Sequence, residues 1–198
     1  MGEENIQQTI YDYKPVGFWK RALAGLIDFI FTMPLMIFIY PIFITLTLQE
    51  KSLLPYFLYM ILSYGIAIFL IVRFGGSIGK ILLKIKIVNA EGRHLSAKQA
   101  VLRQTFSVLG TIIFSAKLYN LMYIISPSEI PHGYSEIGRL MSNKVGKYNL
   151  LENINLVLIF IDGIWLLFNK RKRALHDYIA GTFVVKKESN KVKNEAQL

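Results

Sequence analysis

Four ionisable side chains stand where an otherwise apolar chain has no structural need of them: Arg21, Asp28, Asp162 and Asp177. Arg21 and Asp28 are seven residues apart in Phe18-Trp-Lys-Arg-Ala-Leu-Ala-Gly-Leu-Ile-Asp-Phe-Ile. On a helix they share one face, about 10 Å apart along the axis. Ala24, Gly25 and Thr32 continue that face, and Leu23, Leu26, Ile27, Phe29, Ile30 and Phe31 fill the others. A stripe of small and ionisable residues on an apolar helix is the side that meets other helices. An aspartate there costs about 2.5–3.5 kcal/mol on insertion scales, so it requires a partner or water. Asp162 interrupts a second apolar run. Two such acids on different helices can share a proton, hold a cation, or pair with Arg21, Arg73 or Arg103.

The elements that position these groups are membrane spans. The chain has 198 residues, of which 53% are hydrophobic and 18% charged, and its mean hydropathy is +0.39. Cysteine is absent, which excludes disulfides, a thiolate nucleophile and a Cys-based metal site. A net charge of +10 suits either nucleic acid or a membrane protein with basic segment ends, and the long apolar runs favour the membrane over nucleic acid. Residues 1–17 form a polar tail without the features of a signal peptide. Spans are predicted at about 22–48, 53–72, 101–125 and 153–168, each near the length a bilayer needs. Pro34 and Pro41 are expected to kink or shorten the first, and Gln49 to Ser52 to turn the chain back. Residues 81–88 alternate apolar residues with Lys84 and Lys86, which predicts a short strand or an interfacial piece. Asn89 to Gly92 reads as a turn, Ser96 as a helix cap, and 126–149 as a polar loop. Thr182 to Val185 is a second β-prone run, and 187–198 a charged tail.

Basic residues set the orientation. Of the 23 Lys and Arg, 18 fall before the first span, over residues 73–103 (the second connection and the first turn of the third span), and after the fourth. Four spans put all 18 on one side, so both termini are expected in the cytoplasm of a multi-pass protein of the cell (plasma) membrane. The fold class expected is an all-α membrane protein, a bundle of about four transmembrane helices with a small cytoplasmic β-prone module. Asp28 and Asp162 then lie at matched depth, roughly 9–10 Å below the cytoplasmic surface.

Three segments together resemble the RDD family of membrane proteins, named for one arginine and two aspartates. These are Arg21 with Asp28, Gly76-Ser-Ile-Gly-Lys80, and Leu175-His-Asp-Tyr-Ile-Ala-Gly-Thr182. The resemblance spans 18–186 and makes Arg21, Asp28 and Asp177 the eponymous residues, with Gly76, Gly79, Lys80, His176, Gly181 and Thr182 as its cytoplasmic motif. The middle segment departs from it, carrying Ser77-Ile78 where the family often has Thr-Pro. The resemblance implies a multi-span membrane protein of largely unknown activity. Transport has been suggested, and Na⁺/H⁺ antiport is attributed to some members.

Each of these residues also has a plain structural reading. Arg21 can bind head-group phosphate or a carbonyl as well as an acid, and Asp28 and Asp162 can be structural ion pairs. Lys117 is expected to snorkel to the interface. His176 beside Asp177 is too little for a metal site, and Asp177 is expected to tie the segment after the last span to the bundle through Arg21. Lys170 to Arg173 reads as a topology determinant that attracts anionic lipid. No phosphate-binding loop, nucleophile frame or metal cluster stands out, so neither enzyme activity nor a cofactor or metal is expected. The leading function is a small-solute or ion transporter, oligomeric and in contact with the lipid bilayer, with Na⁺/H⁺ exchange on intramembrane Asp residues as its specific form. Alternatives are a membrane scaffold or assembly partner without transport activity, and a lipid-binding protein using its basic belt.

Overall fold

The computed structural model describes residues 14–186. The charged tail over 187–198 lies outside the described residues, as does most of the polar tail over 1–17. Four helical segments are long and apolar enough to cross a bilayer: Phe18–Gln49, Leu54–Leu82, Thr105–Ile124 and Gly146–Phe168. The first consists of α1 (Phe18–Pro34), a π-helical turn (Leu35–Ile39) and α2 (Tyr40–Gln49). Pro41 has no N–H and its ring crowds the carbonyl four residues back; the widened turn just before it accommodates both. The run is neither cut nor shortened at the prolines. It continues as one 32-residue segment.

After a turn at Glu50–Ser52 the chain returns as α3 (Leu54–Phe74). Gly75 ends α3 at φ +76, its N–H reaching the Ile71 carbonyl at 2.9 Å. This left-handed cap is open to glycine at little cost. The strand or interfacial piece expected over 81–88 loses its first residues to a short helix, α4 (Ile78–Leu82), packed on α1. The strand β1 starts later, at Ile85–Asn89. Ile81, Leu82 and Leu83 in a row break the alternation that a half-buried strand requires. Next comes α5 (Ala97–Leu102), capped by Ser96 and Gln99 reciprocally: the Gln99 N–H donates to Ser96 Oγ at 3.3 Å and the Ser96 N–H to Gln99 Oε1 at 3.1 Å. The chain then enters α6 (Thr105–Ile124), so the third span is shorter than the predicted 101–125.

The polar loop expected over 126–149 contains a helix, α7 (Tyr134–Lys144), between two single 3₁₀ turns. Its Ile137 and Met141, one turn apart, bury against Ile44, Leu48, Leu118, Leu121 and Met122. A narrow apolar stripe in a polar stretch is enough when span ends offer it a floor. Then α8 (Asn149–Phe168) crosses back, followed by α9 (Leu175–Ile179) and β2 (Thr182–Lys186).

The two β-prone runs pair antiparallel, with Ile85 opposite Lys186, Ile87 opposite Val184 and Asn89 opposite Thr182. Residues 14–16 add a third line to this ribbon: the Val16 N–H donates to the Val184 carbonyl at 3.0 Å and the Lys186 N–H to the Lys14 carbonyl at 3.2 Å. Val16, Ile85, Ile87 and Val184 form a core with Ala24, Ile71, Leu95 and Ala100. That core clamps the ribbon onto one end of the bundle, called here the strand-bearing end. Between the two end cores, Phe29, Ile30, Phe31, Ile61, Leu62, Phe69, Ile112 and Phe160 face outward. In a bilayer such a belt is the lipid-facing surface, and every span satisfies its backbone within its own helix.

Lys117 does not snorkel. Its side chain is buried, and Nζ donates to Glu152 Oε2 at 2.7 Å and to Asn149 Oδ1 at 3.1 Å across the α6–α8 contact. Lys117→Met is expected to destabilise the fold by about 1–2 kcal/mol, moderated because Glu152 is partly open to solvent. A Lys117→Met/Glu152→Leu pair should recover most of that loss in a thermal melt in detergent. Additive losses would show that the pair contributes nothing.

Candidate functional site

The strand-bearing end gathers the conspicuous charges into one network, centred on Asp177. Its side chain is fully buried, at 0% exposure. Arg21 Nη1 donates to Asp177 Oδ2 at 2.6 Å, and Arg103 Nη1 donates to Oδ1 and also to Thr182 Oγ1. The Ala174 N–H, at the start of α9, donates to Oδ2 at 3.1 Å. Burial alone would push this carboxyl up; the charges of Arg103, of His176 when protonated, and of Arg21 outweigh burial and hold it well below the usual carboxylate range. Arg21 is held further by the Val16 carbonyl at 3.0 Å and the Lys172 carbonyl at 2.5 Å. One carboxylate thus joins α1, the α5–α6 junction, α9 and β2.

Arg173 completes the mount from behind. Nε donates to the Thr182 carbonyl at 3.1 Å and Nη2 to the Asp177 carbonyl at 2.9 Å. Its guanidinium lies over the rings of Tyr178 and Phe183, at 4.1 and 4.3 Å. Arg173 is therefore a buried structural residue and not part of a lipid-facing basic belt. Its position four residues before Asp177, in a segment with Tyr178 and Phe183, was a signal that the basic run concealed.

Asp28 has a separate role. Ser77 Oγ donates to its Oδ2 at 2.6 Å and the Gly79 N–H to its Oδ1 at 2.7 Å. The carboxylate caps the start of α4 and locks it to α1. Gly79 has to be glycine, because a Cβ there would stand 2.0 Å from the Ala24 carbonyl oxygen. Gly76 is buried in the same turn, and Lys80 Nζ donates to Ser77 Oγ at 3.3 Å. Asp28 and Asp162 have no hydrogen-bond partner in common, although both lie near the same end of the bundle.

Asp162 pairs with His176, which closes over it from α9. The His176 N–H donates to Oδ1 at 2.8 Å, and His176 Nδ1 lies 2.6 Å from Oδ2. On the other edge of the ring, Nε2 is 3.0 Å from Arg103 Nη2. A guanidinium has no acceptor, so Nε2 accepts and the ring is the neutral tautomer protonated on Nδ1. Two cavities, of about 240 and 260 Å³, share Lys80, Arg103, Asp162 and His176 as lining. The first is also bounded by Phe18, Arg21 and Leu166; the second reaches between α6 and α8 to Phe106, Ser107 and Ile159. Asn155, two turns before Asp162 on the same face of α8, has the one buried side-chain atom without a partner among the described residues, Oδ1. The Lys117–Glu152 pair lies beyond it. A broken polar line therefore runs along the α6–α8 contact.

Of the residues singled out in the sequence, Arg21, Asp177, His176, Thr182 and Asp162 belong to this network, with Lys80 on its cavities. Asp28, Gly76 and Gly79 form the neighbouring α1–α4 lock. Gly181, at φ +64, turns the chain into β2. Arg73 takes no part. It lines a groove on the outside of α3 with Phe69 and His94. Among the described residues no group of three or more His, Asp or Glu side chains is placed to hold a metal.

Fold and site together define a multi-span membrane protein in which a short β-ribbon and helix are pinned to the span ends by a buried arginine–aspartate network. Residues 15–181 match the RDD family, and the chain belongs to it. Neither the curated proteins nor the solved structures searched give a match.

Proposed function

We propose that this chain is a proton-coupled transporter of a small solute or ion, with the Asp162–His176 pair as its proton carrier. The observation that carries the reading is the position of that pair. The pair lines a cavity whose walls include Phe106 and Ser107 of α6 and Ile159 of α8, and Asn155, with its unpartnered Oδ1, stands two turns away along α8. Intramembrane ionisable groups facing a cavity mark proton and ion pathways. Asp177 is unsuited to the task, since two arginines keep it ionised, and Asp28 is committed to the α4 lock. The groups that bias the pair are Arg103, Asp177, Lys80 and Arg21. The clustering of basic residues at the strand-bearing end supports a cytoplasmic position for it. Four spans are few for alternating access, so a homo-oligomer is part of the proposal.

The test is proton movement into proteoliposomes carrying a pH-sensitive dye, driven by a gradient of Na⁺ (the coupling ion the family resemblance suggests) or of a small anion. Asp162→Asn and His176→Gln are each expected to lower the flux about tenfold or more. Flux that is unchanged in both Asp162→Asn and His176→Gln would overturn the assignment. No flux with any ion would leave the scaffold reading, in which the ribbon and α9 are the docking surface.

A further inference from the structure

We infer that the paired cavities take a small anion, a carboxylate or inorganic oxyanion, bound by Lys80 and Arg103 when His176 acquires its second proton. This rests on the proton-coupled reading above and names the co-substrate. The charges lining the cavities are unequal: Arg21, Lys80 and Arg103 against the single carboxylate of Asp162. Asp177 behind the arginines and Asp28 beside Lys80 offset part of this charge, and the buried Arg173 adds another cation on the far side of Asp177. Arg21 is tied down by one carboxylate and two carbonyls. Lys80 is lightly held, because Nζ has a hydroxyl partner at 3.3 Å and no salt bridge among the described residues, both Asp28 oxygens being taken by Ser77 and Gly79.

Arg103 provides the coupling. Its Nη2 donates to His176 Nε2, the one ring position open to a second proton. A proton there turns the acceptor into a donor and sets imidazolium against guanidinium. Asp177 Oδ1 lies 3.4 Å from Nε2 and can accept the new N–H. Arg103 Nη2 is then released into the cavities that Lys80 also lines. The cluster has then gained one positive charge, with Arg103 Nη2 free and Lys80 Nζ held only by the Ser77 hydroxyl. A monoanion between Lys80 and Arg103 offsets the added charge and accepts from both. Cavities of about 240 and 260 Å³ hold a few-atom anion with its water but not a nucleotide or a sugar phosphate. Proton and anion then enter as a neutral pair, which avoids exposing a bare charge to hydrocarbon.

The experiment is thermal stabilisation of the full chain in lipid nanodiscs by acetate, phosphate and chloride, and by Na⁺ as the competing class, at about pH 5.5 and pH 8, either side of the usual histidine range. At least one anion is expected to stabilise the wild type, about tenfold more tightly at the lower pH. Lys80→Arg should keep the effect and Lys80→Met should lose it, about tenfold or more in affinity. Absence of stabilisation by any of the three anions in the wild type, or its persistence in Lys80→Met, would overturn the inference. Failures of the two readings differ. Proton flux driven by Na⁺ without anion binding sinks the anion and spares transport, whereas anion binding at Lys80 without proton flux sinks transport and spares the site.

Discussion

Asp177→Asn is expected to remove about 3–5 kcal/mol of stability, enough to leave little folded protein after extraction into mild detergent. The change is nearly isosteric, so no cavity contributes to the loss. What it leaves is two guanidinium groups, Arg21 and Arg103, packed into a buried site without their common anion. Stranding a buried charge costs far more than the pair itself is worth, which is why the single replacement is severe. Asp177→Asn/Arg103→Met should recover part of the loss, because one stranded cation goes with the carboxylate. The same site fixes an acid response. The folded-state carboxyl lies below its unfolded value near 3.9, so its contribution is complete above about pH 4 and fades as pH falls through the folded-state value. Melting midpoints of wild type and Asp177→Asn should therefore differ most above about pH 4 and draw together as pH falls below it. Equal midpoints at neutral pH would mean that the network does not hold the ribbon to the spans.

That network shows which parts of the molecule were legible in the sequence. The spans were, since about 20 apolar residues in a row have few other uses. So were the two β-prone runs, though not their pairing, and Ser96 as a helix cap. The Arg21–Asp28 spacing places both on one helix; the Arg21–Asp177 tie was expected from the segment after the last span, whereas the partners of Asp28 were not foreseen. Arg21 reaches Asp177, 156 residues away, and Asp28 reaches Ser77 and Gly79, about 50 residues away. No local period encodes a partner at that distance. Arg173 was hidden for a different reason. It stands in a run of four basic residues of which the other three suit a membrane surface, and only the fold decides that this one turns inward against Tyr178 and Phe183. Lys117 was misread through its place near a span end, where snorkelling is the usual solution; the competing solution, Glu152, lies on another helix. α7 was missed because a stripe as narrow as Ile137 and Met141 gains its value from the floor beneath it.

Gly79→Ala is expected to be as damaging as any loss of charge, by about 4 kcal/mol or more. A Cβ on Gly79 would meet the Ala24 carbonyl oxygen at 2.0 Å and the Ala24 carbonyl carbon at 2.9 Å, both of them backbone atoms. No rotamer change relieves a contact with backbone, so α4 has to lift off α1. Overpacking of this kind costs about 1–3 kcal/mol even where neighbours can shift. Lifting α4 also removes both donors from Asp28, Ser77 Oγ and the Gly79 N–H, and strands a carboxylate within the first span. A lost partner for a buried charged acceptor adds about 1–3 kcal/mol or more. Gly25→Ala is the internal control, at an exposed position with nothing within 4 Å of the added methyl. It should be neutral or stabilising by up to about 1 kcal/mol through helix propensity. If Gly79→Ala melts with the wild type while Gly25→Ala behaves as expected, α4 is not fixed by Asp28. Lys80, carried on α4, would then be free to move with it, and the cavities it lines would open and close by displacement of that short helix rather than by exchange of partners around His176.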